Sequence, residues 1–511
     1  MQSRTHKAKL NMFFSLLQQG VAIVCGLIMP RLMIEYFGSE AYGAVGSISA
    51  FLAYITLIEG GVGAVTRSAL YKAFAMKSKD QISAVINETK RLYRKIAIVF
   101  ILYVIIIAFL FKYISHNTAF SYWYSFGLVI VIAFSTFAEY FIGISYFLLL
   151  QADQSNYILS IFTMLSTAFN TACCIILITL KSDLLTVKLA SSLIFVLKPI
   201  ILSIYVKKRY KLIRTVSKEK LLKQKGAAIG QHIAWVLHNN TDVTVLTVFK
   251  DLTYVSVYSV YEMVIGQLKN VINSFTSGME AVFGNMYANG ERENLQKTFG
   301  YYETLLSLIS VSFFSTATVL IIPFVRLYTA GITDVEYIYP GFSIMLMAAS
   351  LLYCLRTPYG NMVVAAGHFK QTQVAAYGEA TINIIVSIVL VIRYGLIGVA
   401  IGTVAATLFR FVYYVWYLSC NIMFRPIKLW LKRSAVNSAT CILIFAFGNL
   451  IINQLTIDNY LIWITAGISV FLVSGVITLI TNIVMYKTDV LEIIHRGFGK
   501  RINNGKKDKV N

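Results

Sequence analysis

The segment GQHIAWVLHNNTDVTVLTVFKD, residues 230–251, has the length of a membrane-spanning helix but more polar residues than lipid tolerates. Its polar and aromatic residues recur at steps of four, three and four, which places them on one helical face: Gln231, Trp235, His238 and Asp242, with Asn239 and Asn240 beside them. A charge at a bilayer centre costs ~2.5–3.5 kcal/mol on insertion scales, so we expect Asp242 to face a bundle interior or a hydrated pathway. The alternative is a buried polar cluster that only holds helices together.

The composition of the whole chain is that of a polytopic membrane protein. Of its 511 residues, 57% are hydrophobic, the mean hydropathy is +0.69, and apolar runs of about 20 residues recur from end to end. Long polar loops are absent and only 6 prolines occur. The sequence therefore predicts an all-α membrane protein without a sizeable soluble domain.

Hydropathy predicts about fourteen transmembrane helices. They lie near 10–34, 41–65, 94–114, 119–150, 155–180, 184–206, 228–249, 254–285, 299–325, 338–365, 371–392, 395–420, 434–454 and 459–486. The first run follows three basic residues but exceeds the length of a signal peptide and lacks a convincing cleavage site, so we interpret it as a retained helix. The six cysteines lie in or beside apolar runs without metal-ligand spacing, and we predict no disulfide, metal or cofactor.

The distribution of basic residues predicts the orientation. With the N-terminus inside, 33 of the 45 Lys and Arg lie in cytoplasmic segments and 5 lie outside. This bias places both termini in the cytoplasm of a multi-pass protein. The net charge of +22 then reflects orientation and contact with anionic lipid headgroups, and we expect no nucleic-acid partner.

Two halves of the chain are related in sequence at a nearly constant offset of 212 residues. Phe37 and Tyr42 correspond to Phe249 and Tyr254, and the segment LLTV that starts at residue 184 corresponds to LIGV at residue 396. Because six helices is an even number, this predicts a parallel repeat. The predicted domains are two six-helix lobes at 1–206 and 227–424, a basic cytoplasmic linker at 207–226, a helix pair at 425–490 and a basic tail at 491–511.

Four local patterns, in their order and spacing, resemble a known family over essentially the whole chain. They are PRLMIEYFGSEAYGAV at 30–45, IEGGVGAVTRSA at 58–69, NNTDVTVLTVF at 239–249 and YGLIGVAIGTVAATLFR at 394–410. The chain resembles the polysaccharide (O-antigen-type) flippases of the multidrug/oligosaccharidyl-lipid/polysaccharide exporter superfamily. The resemblance implies alternating-access transport of an undecaprenyl-pyrophosphate-linked oligosaccharide to the outer leaflet of a bacterial cytoplasmic membrane, for surface polysaccharide biosynthesis. It implies a lipid-linked glycan, membrane lipids, a polysaccharide polymerase and glycosyltransferases as partners.

Charged residues inside the spans suit such a substrate, since arginine binds phosphates while amides, acids and aromatic rings bind sugars. The predicted cavity residues are Arg31, Glu59, Trp235, His238, Asn239, Asn240, Asp242 and Arg356. Asp242 and Glu59 are the candidates for ion coupling, and some embedded charges must pair with each other.

Several of these residues have a second interpretation. Arg31 lies near the outer end of the first helix, where its side chain can extend to the headgroups. Glu59 precedes three glycines within four residues, which favour either close helix packing or a hinge. His238 is suited either to protonation together with Asp242 or to helix packing. Arg356 precedes Thr357-Pro358, where the proline leaves a backbone carbonyl free, and this favours the cavity.

The sequence contains no enzymatic constellation and no P-loop, so ion gradients, membrane potential or product consumption must drive transport. A cation-coupled small-molecule exporter of the same fold is the alternative, because organic cations favour acidic cavities and pyrophosphates favour arginines. A membrane polymerase or ligase is disfavoured, since no large outer loop is visible.

The predicted topology is testable by cysteine labelling. A membrane-impermeant thiol reagent applied to intact cells should modify a cysteine introduced at Ile332, in a predicted outer loop, and miss one at Lys220, in the basic linker. The reverse labelling pattern would contradict the orientation.

Overall fold

The computed structural model describes residues 4–116, 118–213, 226–276 and 278–507, and all regular structure in these residues is helical. The first ten helices are α1 (Arg4–Phe37), α2 (Ser39–Ala53), α3 (Thr56–Glu59), α4 (Val62–Ala75), α5 (Lys79–Ile114), α6 (Tyr122–Ala138), α7 (Ile144–Ala152), α8 (Asn156–Thr179), α9 (Leu184–Tyr210) and α10 (Gly226–Phe249). A π-helical turn, Glu139–Gly143, joins α6 to α7.

The remaining eight helices are α11 (Leu252–Ser274), α12 (Met279–Ala288), α13 (Arg292–Tyr328), α14 (Pro340–Ala365), α15 (Gln373–Tyr394), α16 (Leu396–Asn421), α17 (Ile427–Ile452) and α18 (Tyr460–Lys507). The last helix is broken at Tyr486, whose φ of −140° and ψ of 42° are not helical. Residues 214–225, most of the predicted basic linker, lie outside the described part, as do residues 508–511 of the tail.

Twelve stretches of the described chain are long and apolar enough to cross a membrane. The helices α10 and α11, with 24 and 23 residues, match the length of the others but fall outside that set. With these two, the helices account for the predicted spans, and the protein is an all-helical, multi-pass membrane protein. In the described chain, α10 and α11 are thus less apolar than the twelve other spans, as the polar residues of 230–251 indicate for α10.

Two predicted spans are broken at glycines. The span predicted at 41–65 is interrupted between α3 and α4 by Gly60 and Gly61, whose φ values of +42° and +77° are left-handed. The span predicted at 254–285 ends as α11 at Ser274, and α12 starts after Gly278, whose φ is +87°. Glycine adopts these backbone angles without steric cost, so both breaks occur where the sequence supplies it.

The Cα positions group into two compact units. Unit 1 comprises Met1–Val260 with Ile332–Val335, and unit 2 comprises Tyr261–Gly331 with Glu336–Asn511. The division falls inside α11, so α10 packs as part of unit 1, against α2 and α3. The lobe boundaries at 206 and 227 stay a prediction based on the internal repeat.

The core of unit 1 is a cluster of large side chains from α2, α5, α6 and the π-helical turn. Phe100, Phe111 and Leu128 are at most 1% exposed within it. At one end of the unit, Asp153 accepts hydrogen bonds from Lys7 Nζ at 2.9 Å, Tyr210 Oη at 2.7 Å and Ser155 Oγ at 2.6 Å. Burial opposes ionisation of Asp153, but these donors outweigh it and lower the pKa of the carboxyl. The cluster joins the start of α1 to the α7–α8 turn and the end of α9.

In unit 2, α16 packs closely against α15 because two glycines remove side chains from the contact. An ideal Cβ on Gly398 would lie 2.4 Å from the carbonyl oxygen of Leu390, and one on Gly402 would lie 2.2 Å from Ser387 Oγ. This spacing of four residues is the small-residue pattern that brings membrane helices together. Asn383 Nδ2 donates to Thr403 Oγ1 across the same contact at 3.1 Å.

Gly43 on α2 offers a direct test of the packing in unit 1. An ideal Cβ there would lie 1.7 Å from the carbonyl oxygen of Leu252, so Gly43→Ala must separate α2 from the start of α11. We expect a lower melting temperature of the detergent-purified protein, with a cost of roughly 1–3 kcal/mol or more. Gly20→Ala is the matched control, because no heavy atom lies within 4 Å of its Cβ position on α1. An equal effect of both substitutions would contradict this packing.

Candidate functional site

The polar stretch forms one continuous helix, α10, as predicted. At 100° per residue, Trp235, His238 and Asp242 lie on one side of it. Exposure falls sharply along this side, from 54% at Trp235 to 3% at Asp242, with His238 half-buried between them. The end of the polar face at Trp235 is therefore accessible, and the carboxylate of Asp242 lies at the buried end.

The carboxylate of Asp242 is buried against a phenol. Tyr258 Oη donates to Asp242 Oδ2 at 3.1 Å. A buried carboxylate is costly unless it is hydrogen-bonded, so this donor is a necessary part of the site.

Hydroxyl groups next to this carboxylate hold α10 to α2. Ser47 Oγ and Thr247 Oγ1 lie 2.8 Å apart, and Tyr54 Oη and Thr244 Oγ1 lie 2.9 Å apart. These contacts are the interhelical hydrogen bonds that the packing interpretation of the polar helix requires. The helix α10 thus has both a packing face and a buried acid. The interhelical hydrogen bonds account for the packing but not for the carboxylate of Asp242.

The accessible end of α10 carries aromatic and amide groups. The rings of His232 and Trp235 stack at 6.0 Å and 20°, and His232 Nε2 lies 2.9 Å from the carbonyl oxygen of Thr56. Asn239 and Asn240 each donate their amide to the carbonyl four residues earlier on α10, at 2.7 and 2.8 Å. An exposed indole beside an asparagine side chain is a surface on which a sugar ring can stack and hydrogen-bond.

Glu59 lies at the helix break in unit 1. Tyr93 Oη donates to Glu59 Oε1 at 2.6 Å, and Tyr140 Oη donates to Oε2 at 3.3 Å. Tyr140 belongs to the π-helical turn, a type of distortion that is frequent at functional sites. An ideal Cβ on Gly63 would lie 3.3 Å from Glu59 Oε1, so this glycine leaves room for the carboxylate, while the two preceding glycines break the helix.

The arginines predicted for the cavity have different environments. The side chain of Arg31 is 28% exposed and forms an ion pair with Glu35, one turn later on α1, at 3.4 Å. Arg356 on α14 is 7% exposed, and its NH1 lies 2.5 Å from Glu379 Oε1 on α15. Arg410 on α16 contacts the other oxygen of the same carboxylate. We call Arg356, Glu379 and Arg410 the first charge cluster; it carries one positive charge more than negative.

A second charge cluster, not predicted from the sequence, repeats this arrangement in unit 2. Glu303 on α13 accepts from Tyr359 Oη, and its Oε2 lies 2.6 Å from Arg425 NH1 and 3.4 Å from Arg433 Nε. Arg433 also donates to Thr304 Oγ1 at 2.5 Å. The available signal was an acid within the apolar run that follows residue 299, whereas the two arginines resembled ordinary loop cations.

The side chains that contact these four acids thus differ between the units. Tyrosine hydroxyls donate to Asp242 and Glu59 in unit 1, while two arginines flank each of Glu379 and Glu303 in unit 2. A further ion pair in unit 2 has equal positive and negative charge: Lys269 Nζ lies 2.6 Å from Glu262 Oε1. Arg356 and Arg433 are buried while Arg410 and Arg425 are partly buried, so each charge cluster contains two arginines around one glutamate.

Solved transporters share this fold. A lipid II flippase MurJ in an inward closed conformation aligns with a TM-score of 0.64 at 17% identity, covering 93% of this chain and 99% of that chain. An inward-facing multidrug resistance MATE family transporter of the MOP superfamily gives 0.62 at 14% identity, covering 81% and 98%. The Vibrio cholerae MATE transporter VcmN gives 0.57 at 15%, covering 82% and 99%.

At these identities the similarity concerns the fold alone. No family model matches the chain, and no curated protein is significantly similar to it in sequence.

We expect a substitution of Glu379, the acid of the first charge cluster, to lower the stability of the protein strongly. Glu379→Gln leaves two buried guanidiniums without their counter-charge, and removing one partner of a buried ion pair costs roughly 3–5 kcal/mol. We expect a clear loss of thermal stability in detergent, measured by the temperature at which the monodisperse fraction is lost. Glu293→Gln is the matched control, because the same substitution there affects an exposed pair with Lys297 at 2.6 Å and should change little. A small effect at Glu379 would mean that the arginines have other counter-charges.

Proposed function

We propose that the protein is a flippase that moves an undecaprenyl-pyrophosphate-linked oligosaccharide from the inner to the outer leaflet of a bacterial cytoplasmic membrane by alternating access. Such a substrate is an anion with a sugar head and a long apolar tail. The observation that carries the proposal is the excess of arginine over acid in the two charge clusters of unit 2, where four buried or partly buried guanidiniums flank two buried carboxylates. Guanidinium groups bind phosphate oxygens with two parallel hydrogen bonds, and no other side chain offers that geometry.

The extent of the structural similarity also supports a flippase. The alignment with the lipid II flippase leaves 7% of the chain uncovered, which is fewer residues than α17 and α18 up to Tyr486 contain. That alignment must therefore include part of this last helix pair, whereas the MATE alignments leave 18–19% uncovered.

In this proposal, a pyrophosphate competes with a glutamate for its arginines. Arg356 and Arg410 both contact Glu379, so the resting cluster keeps its cations ordered and hydrogen-bonded. An arriving phosphate carries more negative charge than the single carboxylate and can replace one of these contacts. Considered within unit 1, the exposed indole of Trp235 and the side chain of Asn239 are our candidates for contact with sugars.

We propose that the energy for export comes from exchange with a cation. An anion moving outward is helped by an inside-negative potential, by ~2.3 kcal/mol per charge per 100 mV. That help alone could drive export, but Asp242 and Glu59 accept hydrogen bonds from tyrosine hydroxyls, which are uncharged and so do not repel an approaching proton or sodium ion. We assign these two acids to the inward movement of a cation.

A cation-coupled small-molecule exporter is the second candidate. The same two acids favour it, because an organic cation binds a carboxylate beside aromatic rings. The two candidates differ in the charge of the molecule that moves and so in the unit that would hold it.

Transport in reconstituted vesicles tests both the substrate and the coupling. With the membrane potential held at zero by valinomycin and equal potassium on both sides, and with pH and sodium also equal, we expect labelled lipid-linked glycan to equilibrate but not to concentrate. At the same zero potential, an added proton or sodium gradient should produce concentration. Failure of both ion gradients to concentrate the glycan at zero potential would contradict coupling, and movement of organic cations but not of the glycan would contradict the flippase.

Single substitutions in the same vesicle assay test the proposed roles of individual residues. Asp242→Asn keeps the size but removes the charge, so we expect wild-type abundance and lost concentrative transport. Arg356→Lys keeps the charge but removes the two-pronged geometry, and should slow transport about tenfold, the value of one charge-assisted hydrogen bond. Thr247→Val is the control on α10: it removes the hydroxyl that contacts Ser47 and should lower stability without changing the specific rate. Low abundance of Asp242→Asn with a normal specific rate would leave Asp242 a packing residue.

A further inference from the structure

A cleft in unit 2 lies away from both charge clusters. Its volume is about 600 Å³, and its walls are α13, α14, α17 and the loop from α17 to α18. None of the arginines or glutamates of the two clusters lines it. Its volume is within the range of ~300–1,000 Å³ that is typical of small-molecule sites.

The cleft lies where these membrane helices end. Arg326 is two residues before the end of α13, Pro340 is the first residue of α14, and Ile452 is the last residue of α17. Helix ends of this kind mark the depth at which lipid headgroups meet the hydrocarbon. The predicted orientation makes this the outer side of the membrane.

Two opposite charges line the cleft without neutralising each other. Arg326 and Asp458 are both exposed, and neither forms an ion pair or side-chain hydrogen bond with any residue that the structure describes. The side chains of Asn449 and Asn453 also line it, and they make no side-chain hydrogen bond within the same described ranges. The cleft thus offers one cation, one anion and two amides to a ligand.

Apart from the hydroxyl side chains of Thr318, Ser343 and Thr456, the rest of the wall is apolar, and part of it is exposed. Phe445 on α17 and Ile344 on α14 are each 40% exposed, and Leu455 in the loop is 42% exposed. Ile322 on α13 extends the same surface. A ligand that fits must have a hydrocarbon part beside its charged part, since apolar surface of this kind is stabilised by contact with hydrocarbon.

We propose that this cleft binds a zwitterionic glycerophospholipid with a phosphoethanolamine head. The phosphate lies against Arg326 and the asparagine amides, the ammonium lies against Asp458, and the acyl chains lie on the apolar wall. A head with only a negative charge leaves Asp458 without a partner, and an uncharged apolar molecule leaves both charges without one. A quaternary ammonium head has no N–H to donate to the carboxylate. The site is separate from the transported substrate and does not depend on the proposed function.

Native mass spectrometry of the full-length protein in detergent tests the proposal. Phosphatidylethanolamine, phosphatidylglycerol and phosphatidylcholine with identical acyl chains are added in turn and their bound fractions are compared. We expect phosphatidylethanolamine to bind about tenfold more tightly than the other two. Equal binding of all three lipids to the wild-type protein would overturn the assignment.

Single substitutions separate the two charged contacts. Arg326→Gln should weaken phosphatidylethanolamine and phosphatidylglycerol alike, about tenfold, because both lose the phosphate contact. Asp458→Asn should remove only the preference for phosphatidylethanolamine over phosphatidylglycerol. Arg393→Gln is the control: it removes another exposed arginine at a helix end, outside the cleft, and should change nothing. All variants concern exposed side chains, so their melting temperatures should remain near that of the wild type.

Two further results would count against the binding of phosphatidylethanolamine in the cleft. If neither Arg326→Gln nor Asp458→Asn alters lipid binding, the lipid binds elsewhere. If a polyisoprenyl phosphate binds more tightly than phosphatidylethanolamine and displaces it in an Asp458-independent manner, the cleft holds a single anion with a long tail. The combined charge exchange, Arg326→Asp with Asp458→Arg, should keep the preference for phosphatidylethanolamine, because the two charges remain in the same cleft.

Discussion

Within hydrocarbon, every buried polar group must find its partner inside the protein, because no water is available to take that role. This constraint accounts for the side-chain arrangement around each embedded acid. Glu379 and Glu303, at most 6% exposed, each lie between two guanidiniums, and Asp242 and Glu59 accept from tyrosines. Helices from separate parts of the chain are joined at each of these points, so the charged residues fix helix pairing as well as any chemistry.

Arginine partners are charged and tyrosine partners are neutral, so the two kinds of partner affect an approaching cation differently. A carboxylate between two arginines is held by charge on both sides, and a small cation that approached it would meet repulsion. Phenol hydroxyls are uncharged, so they do not repel a cation that approaches the carboxylate to which they donate. This physical difference is why we assign cation movement to Asp242 and Glu59 and anion recognition to the arginine-rich clusters.

A few glycines allow close contact between helices or interrupt a helix. Gly43, Gly398 and Gly402 each lie where a methyl group would collide with a neighbouring helix, so close approach depends on them. Gly60 and Gly61 instead interrupt a span directly after Glu59. Irregular backbone at membrane depth is tolerated where it is enclosed by protein or lines a cavity, which supports a functional role for this break.

The sequence by itself determined the all-helical membrane fold, the number of spans and the polar character of α10. Hydrophobic length and residue spacing along one helix are local properties, so they are visible without tertiary contacts. Only the tertiary structure decided which charges pair, because the partners lie far apart in the chain: Arg356 and Glu379 are separated by 23 residues, and Glu303 and Arg425 by 122. It also showed that interhelical hydrogen bonds and a buried carboxylate lie on the same helix, α10. The physical reason is that pairing depends on distances between helices, and a linear pattern records only the faces of single helices.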